Sequence, residues 1–174
     1  MGYTPSTLIH HLGLEAGVIA GESTVIGLGH LLNYQVITSP EFTSSPNTNL
    51  QAKVAAAQSA LSELDIVFLH IKGPDICAHD KVPNDKKALL EAIDDALGAL
   101  ASDDLVIGIT GDHSTDCNTG RHVGDPVPSL LFAPVSRKDN CRHFGEAECA
   151  TGGMGRISAT GFLCAMLDSM GVLD

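Results

Sequence analysis

The sequence predicts an α/β fold, a mainly parallel sheet with helices on both faces. Three observations point there. Residues Asp65–Ile71 form a near-continuous apolar run, as a strand buried on both faces of a parallel sheet reads. Segments with apolar residues at helical spacing separate such runs. Polar loops follow the runs, so strand and helix alternate as in an open sheet covered on both sides.

Val18–Ala20 reads as a short strand closed by Gly21, and Val25–Leu32 as a short helix. Tyr34–Thr38 is the next strand. The Ser- and Pro-rich stretch 39–47 is a loop. Asn47 or Thr48 can cap a helix over 49–63, with Leu50, Val54, Ala57, Leu61 and Leu64 at helical spacing. The strand 65–71 leads into a polar loop, 72–83. Asn84 can cap a helix over 85–101, with Leu89, Ile93, Ala96, Leu97 and Leu100 on one face. Strands near 105–110 and 129–133 flank a second polar loop, and a helix over 157–170 closes the pattern.

A length of 174 residues suits one compact domain, taken as 1–174. The net charge of -11 disfavours nucleic acid and anionic membrane as partners. Bound divalent cations would correct that sign locally for an anionic substrate. The five cysteines, Cys77, Cys117, Cys141, Cys149 and Cys164, contain no CxxC pair. A disulfide framework and a thiolate zinc knuckle are therefore disfavoured, and a reducing cytoplasm is the expected location. No run approaches the ~20 apolar residues of a membrane span, and no signal-peptide pattern opens the chain.

The chemistry-bearing residues fall in the two loops. Asp75 and His79 are spaced i and i+4, so one helical turn would aim both at a single ion. The stretch 110-TGDHSTDCNTGRHVGDPVP-128 holds Asp112 and His113 side by side, and His122 after a glycine-containing turn. Carboxylate with imidazole suits zinc, manganese or iron better than calcium. Both loops follow strand carboxyl ends, where open α/β sheets place their sites, and are expected to face one crevice.

The runs 68-FLHIKGPDICAHD-80, 111-GDHSTDC-117, 122-HVGDPVP-128 and 144-FGEAECATGGMGRI-157 resemble the cofactor-independent phosphoglycerate mutases, the archaeal-type branch above all. These belong to the alkaline phosphatase superfamily, and the similarity runs from about Leu14 to the end. The resemblance implies a partial alkaline-phosphatase-like fold and two divalent metals, manganese or zinc. It also implies phosphoglycerate as substrate, in the glycolytic exchange of 3- and 2-phosphoglycerate. By motif, Asp75, His79 and His122 would bind one metal, Asp112 and His113 the second. The family's nucleophilic Ser, a further Asp ligand and the arginine-bearing inserted domain precede the matched region. These residues would thus carry one whole metal site and half of another, with no catalytic nucleophile. A homodimer or a partner chain would supply the missing part. The sequence also departs from the family at Ile26, where a Lys is usual before the glycine corresponding to Gly27, at Ala78 (usually Gly) and at Asp116 (usually Pro).

Plainer roles fit the remaining candidates. His70 reads as a core or supporting histidine, and His10, His11, His30 and His143 as surface or packing residues. Ser114 and Thr115 read as loop caps, Asp116 and Asp125 as turn residues, and Cys77 and Cys117 as small packing residues. The run 152-GGMG-155 is a helix-entry turn and not a phosphate loop. Three functions compete on this reading. The first is the carboxyl-terminal, metal-binding part of a phosphoglycerate mutase. The second is a degenerate, non-catalytic metal-binding or interaction module. The third is a two-histidine, one-carboxylate iron site, which the α/β pattern speaks against.

Overall fold

The structure, a computed structural model, describes residues 6–102, 104–134 and 136–173. The chain divides into two compact units, residues 1–100 with 117–120, and residues 101–116 with 121–174.

The first unit holds helix α1 (Leu8–His11), strand β1 (Ala16–Ile19), helix α2 (Ser23–Leu31), strand β2 (Gln35–Ile37), helix α3 (Leu50–Ala60), strand β3 (Ile66–Leu69), and helices α4 (Gly73–His79) and α5 (Pro83–Leu97). Its three strands are parallel, in the order β2-β1-β3. Val18 is in register with Val36 on one side and Phe68 on the other. Strand side chains alternate, so these three share a face. Helix α2 covers part of it so closely that a Cβ on Gly29 would lie 2.9 Å from a Val36 methyl. On the opposite face Ile37, Val67 and Leu69 pack with Ile19, Phe42 and Ala57 of α3. A second cluster joins Leu50, Val54, Cys77, Leu89 and Ala96, so α3, α4 and α5 share one core.

Strand β3 differs from the expectation of a strand buried on both faces, because Phe68 is 39% exposed. Among the described residues β3 pairs with β1 alone, and α2 packs on β1 and β2. Phe68 is covered instead by Tyr34, stacked at 5.7 Å with the rings 8° apart.

The helix ends also moved. Asn49, not Asn47 or Thr48, caps α3 by accepting the N–H of Ala52. Helix α5 starts at Pro83, whose fixed φ suits a first turn and needs no N–H partner. Pro74 does the same for α4, which turns most of the expected 72–83 loop into a helix.

The second unit holds strands β4 (Ile107–Ile109), β5 (Ser114–Asp116), β6 (Arg121–Val123) and β7 (Leu130–Phe132), and helices α6 (Glu146–Cys149) and α7 (Ala159–Ser169). β4 and β7 pair antiparallel, as do β5 and β6. The parallel arrangement thus holds for the first unit, whereas the strands expected near 105–110 and 129–133 run in opposite directions. A parallel pair needs a crossover, usually a helix. Here the connecting segment forms the β5–β6 hairpin instead. Ser158 caps α7 by accepting the N–H of Gly161, and Ile157 stays outside the helix, 38% exposed. A Cβ on Gly108 would lie 2.8 Å from the Met166 methyl and 3.2 Å from the Phe162 ring, so β4 and α7 are in direct contact.

Candidate metal centre

Helix α4 carries the first pair of candidate ligands, Asp75 and His79. Its carboxyl end closes in a Schellman motif: Val82 N–H donates to Cys77 carbonyl at 3.0 Å and Lys81 N–H to Ala78 carbonyl at 3.1 Å. Lys81 adopts the left-handed conformation there, at φ 59°, a strained choice for a residue with a side chain. Asp75 in the first turn and His79 in the last lie one above the other, with Nε2 of His79 3.4 Å from Oδ1 of Asp75. Lys72 Nζ holds the other carboxylate oxygen at 2.6 Å.

The other ring nitrogen of His79 lies 2.9 Å from the Gly120 carbonyl oxygen. A carbonyl only accepts, so Nδ1 carries the proton. In the neutral imidazole Nε2 then presents a lone pair toward Asp75. In that neutral form two acceptors face each other at 3.4 Å, an arrangement that a cation between them would satisfy. Zinc–nitrogen and zinc–oxygen bonds of about 2.0–2.2 Å at tetrahedral angles place neighbouring ligand atoms roughly 3.3–3.5 Å apart. The observed spacing fits that edge, and a ligand imidazole whose other nitrogen donates to a carbonyl is the usual support. Gly120 is held close: it has φ +68°, and a Cβ there would lie 2.8 Å from the His79 carbonyl oxygen.

The second unit repeats the pairing. His113 Nε2 lies 3.4 Å from Oδ2 of Asp112, and Thr115 Oγ1 lies 3.3 Å from His113 Nδ1. Asp112 also fixes the turn by accepting the His113 N–H at 3.1 Å. Thr115 is buried on β5, directly across from His122 on β6. The His113 and His122 rings approach to 3.7 Å between centroids.

Asp75 and His79 thus face each other in the first unit, and in the second His113 lies beside both Asp112 and His122, whereas the family resemblance groups His122 with Asp75 and His79. Ser114 and Thr115 are strand residues, not loop caps, and Asp116 ends β5 opposite Arg121. His70 is half-buried at the end of β3. Its carbonyl accepts a hydrogen bond from Lys53 Nζ at 2.9 Å. The supporting partners escaped the sequence reading. Lys72 stands three residues before Asp75 and could have been found by spacing. Gly120 and Lys53 act through partners 41 and 17 residues away, which no local pattern reveals.

An α/β domain with paired carboxylate and imidazole at its loops and helix ends is the frame of a metalloenzyme. The chain belongs to the Metalloenzyme superfamily, whose sequence pattern matches residues 3–169. Its curated relatives bear out the resemblance to cofactor-independent phosphoglycerate mutases. The 2,3-bisphosphoglycerate-independent phosphoglycerate mutase of Thermococcus gammatolerans is 38% identical over 161 residues, covering 90% of this chain and 39% of the relative. A solved protein of Pyrococcus horikoshii superposes with a TM-score of 0.93 at 34% identity, over 98% of this chain and 53% of that one. The cofactor-independent phosphoglycerate mutase of Thermoplasma acidophilum shares the fold, with a TM-score of 0.62 at 23% identity over 85% of this chain and 34% of that one. The chain thus spans about two fifths of the length of the curated relatives it matches.

Proposed function

We propose that these residues form the metal-binding part of a phosphoglycerate mutase that exchanges 3- and 2-phosphoglycerate. Asp75, His79 and His122 hold one divalent ion, manganese or zinc, and Asp112 and His113 contribute to a second. The observation that carries this reading is the facing pair on α4. Asp75 Oδ1 and His79 Nε2 stand 3.4 Å apart with the opposite ring nitrogen on the Gly120 carbonyl. Gly120 precedes His122 by two residues in the chain.

Such ions, when bound, neutralise charge on the transferring phosphoryl oxygens. The chain's own residues do the positioning. The Gly120 carbonyl keeps the His79 proton on Nδ1, and Lys72 orients the Asp75 carboxylate. Thr115 sets the ring of His113. The chain spans about two fifths of the curated relatives' length, and on this reading the nucleophilic serine comes from a further stretch of polypeptide, in the same protein or in a partner chain. The setting is glycolytic and cytoplasmic.

Calorimetric titration with zinc and with manganese tests the assignment. The wild type is expected to take up divalent metal and His79→Ala to lose most of that uptake. Equal uptake by the two proteins would remove Asp75, His79 and His122 as a site. These residues alone are expected to show no isomerisation of phosphoglycerate in a coupled assay.

A further inference from the structure

The two carboxylate oxygens of Asp75 have different neighbours. Oδ1 faces Nε2 of His79 at 3.4 Å. Oδ2 lies 2.6 Å from the ammonium of Lys72 and is shut off from solvent. So short a contact between opposite charges stands at the strong end of such pairs. The fold also keeps Lys72 in place. It is the residue before the first turn of α4, and its carbonyl accepts the N–H groups of Asp75 at 3.1 Å and Ile76 at 3.4 Å. Its backbone is thereby locked to that turn, and residues three apart on a helix are neighbours on its surface. The turn itself is wedged, because a Cβ on Gly73 would lie 2.6 Å from Leu89 Cδ2 and 2.9 Å from Pro46 Cα. Cys77 and Ala78 are buried, which fixes the rotation of α4.

A carboxylate held in this way can give an ion one oxygen and not two. That restriction matters differently to the two metals that suit the site. Zinc closes a four-coordinate shell, which a single oxygen from Asp75 helps to complete. Manganese takes an octahedral shell rich in oxygen, for which carboxylates are natural donors. A second oxygen from Asp75 is therefore worth more to manganese than to zinc, and the ammonium of Lys72 occupies that oxygen.

We propose that Lys72 is a specificity-determining residue, which keeps Oδ2 of Asp75 for itself, confines that ligand to one oxygen and biases the pair on α4 toward zinc over manganese. The inference rests on the assignment of Asp75 and His79 as ligands. Repulsion between the ammonium and a bound dication weakens zinc and manganese alike, since both carry the same charge, and so cancels in the ratio of their affinities. A merely structural contribution of Lys72 to α4 would likewise change both affinities and leave the ratio alone.

The test is calorimetric titration of the full chain with zinc and with manganese, in the wild type, Lys72→Met and Lys72→Arg. Methionine keeps an unbranched apolar stem beside the helix and removes the donor, which frees Oδ2 for the ion. The ratio of zinc to manganese affinity is expected to fall by about fivefold or more in Lys72→Met, chiefly through tighter manganese binding. In Lys72→Arg it should stay within about twofold of the wild type, because the guanidinium still donates to the carboxylate. A ratio unchanged or raised in Lys72→Met, or lowered equally in Lys72→Arg, would overturn the role of Lys72 and leave Asp75 and His79 standing as ligands. A wild type that takes up neither ion would overturn both.

Discussion

Replacing Gly120 by alanine tests whether the support of His79 matters as much as its ligand atom. At φ +68° an alanine pays roughly 1–2 kcal/mol for the left-handed conformation. Its Cβ would also sit 2.8 Å from the His79 carbonyl oxygen and 3.2 Å from Lys81 Cε. The lysine tip can swing away, but the carbonyl is backbone of α4 and moves only with the helix end. The turn must therefore retreat, and the 2.9 Å hydrogen bond from Nδ1 lengthens or breaks, at about 0.5–1.5 kcal/mol. The smaller entropy of the unfolded alanine chain returns about 0.4–1 kcal/mol. The sum is a loss of roughly 0.5–3 kcal/mol in folding stability. Losing the partner of a metal-ligating imidazole typically lowers metal affinity 10–100-fold. Calorimetry of zinc binding should therefore show at least a tenfold weaker site in Gly120→Ala than in the wild type. Gly124→Ala is the control, because nothing lies within 4 Å of its Cβ. A folded Gly120→Ala protein with wild-type zinc affinity would refute the role given to the Gly120 carbonyl.

Three further predictions rest on other contacts. Lys53 is fully buried, donates to the Thr43 carbonyl at 3.2 Å and the His70 carbonyl at 2.9 Å, and has its pKa pushed down by burial. Lys53→Met should lose about 2 kcal/mol at neutral pH by stranding two carbonyls. The unfolded chain holds the lysine proton to higher pH than the folded one, so wild-type stability rises through the alkaline window between the two pKa values. The deficit of Lys53→Met in urea unfolding should therefore be larger at pH 10 than at pH 7. Asp139 accepts the N–H groups of Gly153 and Cys141, and Glu148 those of His143 and Arg142, which lowers both carboxyl pKa values. That contribution is present above the ordinary carboxylate range and is lost as pH falls through the lowered values. Amide resonances of Cys141–His143 and Gly153 should then shift below about pH 4, and those of Cys141 and Gly153 should lose that response in Asp139→Asn. Gly108→Ala forces a methyl against Met166 and Phe162, and chemical denaturation should show about 1–3 kcal/mol of destabilisation.

Alternation of short apolar runs with amphipathic segments was enough to place most of the strands and helices, because burial periodicity is written residue by residue. Helix α4 stayed hidden in the stretch read as a loop, and the helix expected over 85–101 begins at Pro83 instead, since the search was for a side-chain cap and proline opens a helix without one. The β5–β6 hairpin stayed hidden because Thr115 and Arg121 flank a turn of polar residues with no apolar alternation to announce strands. Exposure of Phe68 was equally illegible. The run Ile66–Leu69 is apolar throughout, and only the position of α2 over β1 and β2 leaves that ring to Tyr34.

The sequence by itself determined the α/β character of the chain and the pairing of carboxylate with imidazole. Both reside in local pattern, apolar period for the one, and for the other the spacing of Asp75 with His79 and the adjacency of Asp112 and His113. Tertiary structure decided the direction in which β7 pairs with β4, the carbonyl that fixes the His79 proton and the carbonyls that hold Lys53. Hydrogen bonds act over about 3 Å of space but here join residues 17 to 41 positions apart. Such a partner exists only once the backbone between has taken its path.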